Sequence, residues 1–192
     1  MIDERLRQFD DFILQSEGNL HHVRRVFHLS RLIAREENLR YDEDILAFAA
    51  YFHDVAAYPR FAPGGLDSAL DHALESSKLM PALAKEFGYD DSKIETIVEA
   101  VKYHHTAGMG THAETRLIRN ADSLDYLGFM AVARDFVKSP ESMKKAVAAL
   151  RKRKEKFFPL VDLESAKAMA GPRVAELDLF LDRFEAESFG IY

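Results

Sequence analysis

A chain of 192 residues, 47% hydrophobic and 30% charged, is long enough to bury a core without disulfides or a structural metal. Its formal charge of -6 argues against broad electrostatic binding to a DNA or RNA polymer, and the absence of cysteine excludes disulfides, thiolate ligands and a cysteine nucleophile. Nine Gly and 6 Pro leave few turns for an all-β fold, no run of ~18 apolar residues suggests a membrane span, and the acidic start MIDERLRQFDDF is no leader, so a soluble, cytoplasmic, helical protein is expected.

The spacing of Leu6, Phe9, Ile13 and Leu14 predicts a first helix over residues 3–17, stopped by Gly18. A second, from about Asn19 to Glu37, carries His22, Val26, Leu29 and Ile33 on one stripe, which turns His22 inward. Asp42 is placed to cap a third helix through ILAFAAYFHD, apolar enough to be central. The segment 55–65, with Pro59, Pro63, Gly64 and Gly65, reads as a loop that directly follows His53-Asp54 and is placed to cover a site.

Helical character returns near Asp67, aligning His72, Ser76, Leu79 and Leu83, and stops at Gly88, with Pro81 able to kink or split it. Asp90 caps SKIETIVEAVKYHH, in which Ile97, Val101 and His104 share one face while Val98, Val101 and His105 share the next; periodicity does not choose between the two histidines. TAGMGTH is a loop, and from about Glu114 a helix aligns Ile118, Asp122 and Asp125. After Ser139-Pro140 the chain is more charged, breaks at Pro159, and closes with a helix over about 172–187 that starts on Pro172. The expectation is one all-α domain over 1–192, with a core at about 15–135 and a helical extension at about 139–192.

Residue types that bind hard or borderline cations stand at the inward-facing ends of separate helices: His22, His53 with Asp54, His72, His104 or His105, and Asp122. In a helical bundle a divalent ion is held by side chains from several facing helices, and imidazole with carboxylate suits manganese, iron, cobalt, nickel, zinc or magnesium. His72 has an alternative as a surface partner of Glu75, Asp125 as a cap or ion-pair partner, and RKRKEK at 151–156 as a solvated helix face. His21, His28 and His112 are read as exposed.

These residues resemble the HD-domain superfamily of metal-dependent phosphohydrolases. His22 with Arg25-Val26 resembles its opening H-x-x-R-V element, AAYFHDVA its defining doublet, and NADSLDYLG its closing element; His72 and the stretch from Val101 to His105 resemble the intermediate histidines of two-metal members. The similarity covers roughly residues 15–135 and is nearest to small stand-alone bacterial hydrolases, where the closing motif is followed by a glycine and a small-residue helix, as in LGFMAVAR. Asn120 stands where that group often has aspartate, and Ala56 where many members have glycine.

The resemblance implies an HD-type helical bundle holding one or two divalent ions and hydrolysing a phosphoester or phosphoanhydride of a small substrate, a nucleotide. It places His22, His53, Asp54 and Asp122 around a first ion and Asp54, His72 and His104 around a second, with Asp54 bridging. The spacing after Val101 favours His104, leaving His105 for metal or substrate. His53, Asp54 and Asp122 are the catalytic set, and Arg25, Arg60, Lys102 and Arg119 are the candidates to meet phosphate. Arg25 has a second option, buttressing Asp122. The alternatives are an HD-type di-iron oxygenase on the same ligands and a module that senses a nucleotide without turning it over.

Overall fold

Helices follow where apolar residues recur every three or four positions, and the computed structural model, which describes residues 2–67 and 70–191, contains no strand among them. Among the described residues nine α-helices run in order: α1 (Ile2–Gln15), α2 (Leu20–Glu36), α3 (Glu43–Phe52), α4 (His72–Glu86), α5 (Asp91–Lys102), α6 (Ala113–Asp125), α7 (Phe129–Lys138), α8 (Met143–Phe157) and α9 (Glu164–Ser188). The all-α class expected from composition is the class observed. The chain divides into two compact units, Met1–Ala121 and Asp122–Tyr192. No helix is long and apolar enough to cross a membrane among the described residues.

In the first unit α3 is the central element. Every residue from Ile45 to Phe52 is buried, and the helix packs against α1, α2, α4 and α5. Asp42 caps it, accepting from the amides of Asp44 and Ile45, while the Glu114 carboxylate accepts from the Asp42 amide at 2.6 Å. Around α3 the rings of Phe9, Phe48, Phe52 and Phe87 interlock. Phe48 stacks on Phe52 at 4.4 Å, and Phe9 meets Phe48, Phe52 and Phe87 edge-on at 5.3–5.6 Å, an arrangement worth about 0.5–1.5 kcal/mol per pair beyond burial. Phe52 is the last residue of α3, so this packing fixes the backbone that continues into His53 and Asp54.

Several element boundaries differ from the sequence expectation. Leu14, assigned to the apolar face of α1, is 59% exposed, and Phe12 is buried in its place, because the stripe that meets α3 follows Phe9, Phe12 and Ile13. The stop after α1 does not exploit the conformational freedom of Gly18: Glu17 takes the left-handed turn at φ 55°. Gly18 is required because a Cβ there would stand 2.8 Å from the Tyr58 ring and 2.9 Å from Ile13. Helix α4 begins at His72, capped by Asp71; the expected start near Asp67 runs into residues 68 and 69, outside the described residues. Pro81 neither splits nor ends it. Helix α5 ends at Lys102, leaving His104 and His105 in the turn beyond, which is why helical periodicity had no purchase on them.

The second unit packs α7 against α8 and α9. Its core comprises Ala131, Val147, Leu150, Leu177 and Leu181, edged by Val132, Phe136, Phe180 and Phe184. The last helix starts at Glu164 rather than Pro172. The stretch ESAKAMA forms helix readily, and Pro172 is accommodated inside α9 with Ala166 and Ala170 buried.

Candidate metal centre

Four segments of the first unit bring imidazoles onto one carboxylate. His22 lies in the first turn of α2, where Asn19 caps the helix by accepting from the His22 amide. His53 and Asp54 follow the C-terminus of α3, His72 opens α4, and His104 and His105 follow α5. Asp54 turns Oδ2 toward Nε2 of His53 at 3.4 Å and of His22 at 3.9 Å, and Oδ1 toward Nε2 of His72 at 3.4 Å and of His104 at 3.7 Å. One carboxylate therefore faces two histidine pairs, one with each oxygen.

The spacing matches shared ligation better than hydrogen bonding. Nε2 of His22 and Nε2 of His53 stand 3.3 Å apart. Two donors bound about 2.1 Å from one ion lie about 3.0–3.4 Å apart at right-angle to tetrahedral geometry. His53, Asp54 and His104 offer donor atoms within 4.8 Å of one another, as do His72, His104 and His105. His105 joins the second group, its ring 4.0 Å from that of His104 and 4.7 Å from that of His72.

The ring nitrogens are already sorted. A carbonyl only accepts, so Nδ1–H of His53 donates to Ala50 O at 2.8 Å and Nδ1–H of His104 donates to Val101 O at 2.6 Å. In the neutral ring this leaves the Nε2 lone pair for the site. Nε2 of His104 and Oδ1 of Asp54 are both buried without a hydrogen bond, a costly condition in a protein interior that a cation would relieve. Imidazole nitrogen with carboxylate oxygen is a fitting donor set for a borderline divalent ion.

Burial lowers the His104 imidazole from 6.5 to about 4, with the neighbouring His105 adding to the effect, so the ring is neutral at physiological pH. For Asp54, burial pushes the carboxyl up, but the facing imidazoles of His53 and His104 outweigh it and hold the group well below the usual carboxylate range. Burial and the Asp54 charge push the Tyr58 phenol up; its hydroxyl donates to Tyr51 O at 3.2 Å. Exposure is graded across the cluster. His53 and His104 are wholly buried and His22 nearly so, while the side chains of Asp54 and His72 are 18% and 29% exposed, making their side the open one.

Asp122 is fully buried in α6 and is the first residue of the second unit. Arg25 is half-buried, one turn along α2 from His22. The contacts of the other cations expected near phosphate are these. Arg60 lies over Phe12 at 4.9 Å, Lys102 over Tyr103 at 5.0 Å, and Arg119, 1% exposed, donates to the carbonyls of Thr106 and Met109. His21 and His28 are exposed, as expected; His112 is half-buried beside Glu99, with Nδ1 2.9 Å from its carboxylate. Asp125 pairs with Arg134 at 3.3 Å.

The roles of two residues beside the site escaped the sequence reading, which had placed Ser76 only on the stripe of His72. Ser76 is buried in α4 and its Oγ accepts from the Ala56 amide at 3.1 Å, anchoring the turn just after the doublet. Glu99 accepts from the amides of Thr111 and His112 and from the Thr115 hydroxyl. A carboxylate in the last turn of α5 opposes the helix dipole, and that misplacement was the legible signal.

The HD domain family profile matches residues 19–127. Among solved structures, the chain resembles a protein described as a predicted HD superfamily hydrolase from an uncultured Thermotogales bacterium, with 24% identity and a TM-score of 0.65 over 94% of this chain and 91% of that one. Bacillus subtilis YpgQ in complex with ADP superposes with 18% identity and a TM-score of 0.68 over 95% of this chain and 97% of that one. An HD-superfamily hydrolase from Bacillus thuringiensis gives 18% identity and a TM-score of 0.70 over the whole of both chains. At such identities the likeness is one of fold. No curated protein matches the chain.

Proposed function

The chain belongs to the HD-domain family, and on that premise we propose that it is a metal-dependent phosphohydrolase acting on a small phosphorylated substrate, a nucleotide. The observation that carries this reading is the division of Asp54, with one oxygen facing the His22–His53 pair and the other the His72–His104 pair. His22, His53, Asp54 and Asp122 would hold a first divalent ion, and Asp54, His72 and His104, joined by His105, a second. The nitrogen-rich donor set suits manganese, iron, cobalt, nickel or zinc better than magnesium.

When bound, such an ion lowers the pKa of water to about 7 and polarises a phosphoryl oxygen. The protein's own contribution is orientation and exclusion of water. His53 and His104 keep their protons on Nδ1, tied to backbone carbonyls, so their rings cannot turn away. Asp54 remains ionised at neutral pH and presents both oxygens. Substrate would enter on the open side, by Asp54 and His72; Arg25, one turn along α2 from His22, is the cation we assign to phosphate. The choice of a nucleotide draws on YpgQ, a protein of the same fold whose structure was determined with ADP.

The test is metal analysis of the purified protein, followed by a panel of nucleotides and phosphoesters assayed for phosphate or pyrophosphate release. Release that requires the ion and disappears in Asp54→Ala supports the proposal. Two irons with oxygen-dependent turnover and no phosphate release would select the di-iron oxygenase instead. Tight nucleotide binding by the metal-loaded protein, with no product, would select a sensor.

A further inference from the structure

We propose that Glu99 and Arg119 are positioning residues for His104 and His105, clamping from both ends the loop that leaves these histidines. The inference rests on the two-ion reading above. The two histidines lie beyond the end of α5, so helical hydrogen bonding does not fix them; the turn is closed by Tyr103 N–H donating to Glu99 O and Thr106 N–H donating to Tyr103 O. The segment that follows has little packing of its own: Thr106, Ala107, Gly108 and Met109 are exposed, and Gly108 and Gly110 take φ values of 69° and 84°. Any swing of this loop is transmitted through the backbone to His105 and His104.

Two charged side chains restrain it, each matched to the polarity of what it binds. The guanidinium of Arg119 only donates, and Nη1 reaches the carbonyls of Thr106 at 3.2 Å and Met109 at 2.8 Å. The carboxylate of Glu99 only accepts. It takes the amides of Thr111 at 2.8 Å and His112 at 3.0 Å, the hydroxyls of Thr115 at 2.8 Å and Thr111 at 3.2 Å, and stands 2.9 Å from His112 Nδ1. Arg119 thus fixes the half of the loop next to the histidines, and Glu99 the half that returns to α6. The loop has no room to rearrange at Gly110, where a Cβ would lie 2.5 Å from Thr115 Cγ2 and 3.1 Å from Glu99 Oε1. Glu99 and Arg119 reach the two histidines through the backbone of this loop.

The experiment titrates Co(II) into the metal-free full chain and follows visible absorption, alongside hydrogen exchange at the Thr111 and His112 amides. The native chain is expected to take up two Co(II). Glu99→Ala should weaken one of these at least tenfold and leave the other within twofold, with amide exchange at least tenfold faster. Glu99→Gln, which keeps one acceptor oxygen, should fall between the two, and it decides the matter if Glu99→Ala loses its helical circular dichroism. Unchanged uptake of both ions despite faster exchange overturns the proposal, as does equal weakening of both. If the native chain takes up no Co(II), the two-ion reading fails, and the positioning claim is decided by imidazole nitrogen shifts in the metal-free protein. Displaced His104 and His105 signals in Glu99→Ala would uphold it, and unchanged ones would overturn it.

Discussion

His104 donates its Nδ1 hydrogen to the carbonyl of Val101 at 2.6 Å, three residues back along the chain. This bond chooses the tautomer, and burial keeps the ring neutral, so Nε2 carries a lone pair before any ligand arrives. In nitrogen-correlated NMR spectra of the metal-free protein, His53 and His104 should both appear as Nδ1–H tautomers at pH 7. His104 should acquire its second proton only near pH 4, well below the 6.5 of a free imidazole. An Nε2–H tautomer for either ring would contradict the orientation described.

Asp54→Asn tests whether one carboxylate serves two sides. The amide has nearly the same shape but replaces one oxygen by a donor and removes the charge. Metal content should fall from two ions to one or none, and phosphate release by roughly a thousandfold or more, with far-UV circular dichroism unchanged. Exposed His28, on the outer face of α2, supplies the control: His28→Ala should alter neither quantity.

Ser76→Ala removes the hydroxyl that accepts from the buried Ala56 amide and leaves that donor without it. Urea denaturation should show a loss of about 1–3 kcal/mol. Turnover should fall by about tenfold, because the turn after Asp54 loses its anchor to α4. A stability loss with no change in turnover would separate the anchor from the chemistry.

Glu99 gives a pH signature of its own. Although burial pushes its carboxyl up, the amide of His112, the Thr115 hydroxyl and the other donors around it outweigh that effect and lower it from 4.5 to about 2. The folded form is thus the weaker base, so its stabilising contribution is complete above pH 4.5 and is lost as the pH falls from there toward 2. The difference in urea stability between the native chain and Glu99→Gln should be constant above about pH 5 and shrink across that window. A difference that grew on acidification would have the wrong sign.

The fold class and most of the clustered histidines were readable from sequence because each depends on local rules. The i, i+4 stripe from His22 through Val26 shows which face of α2 is inward, and the apolar run ending in His53-Asp54 shows which helix is central. Leu14 was misassigned because helical spacing defines a stripe without its edges, and the rings of α3 decide that Phe12, not Leu14, is covered. The start of α9 was missed because a proline at a helix start and a proline tolerated inside a helix look alike in sequence. The roles of Glu99 and Arg119 were hidden for a different reason: their partners are backbone groups of a loop, which carry no residue identity. The division of Asp54 between two histidine pairs is likewise a matter of side-chain direction, which residue spacing does not encode.

The chain has no tryptophan and 7 tyrosines, so its ultraviolet emission is phenolic. Tyr58 is 6% exposed, a Cβ on Gly18 would crowd its ring, and its phenol senses the charge on Asp54. A cation arriving at that carboxylate would offset the charge felt by a phenol held in one place. Loading of the site is therefore expected to change the emission of one tyrosine among 7, a readout that needs no dye, label or substrate.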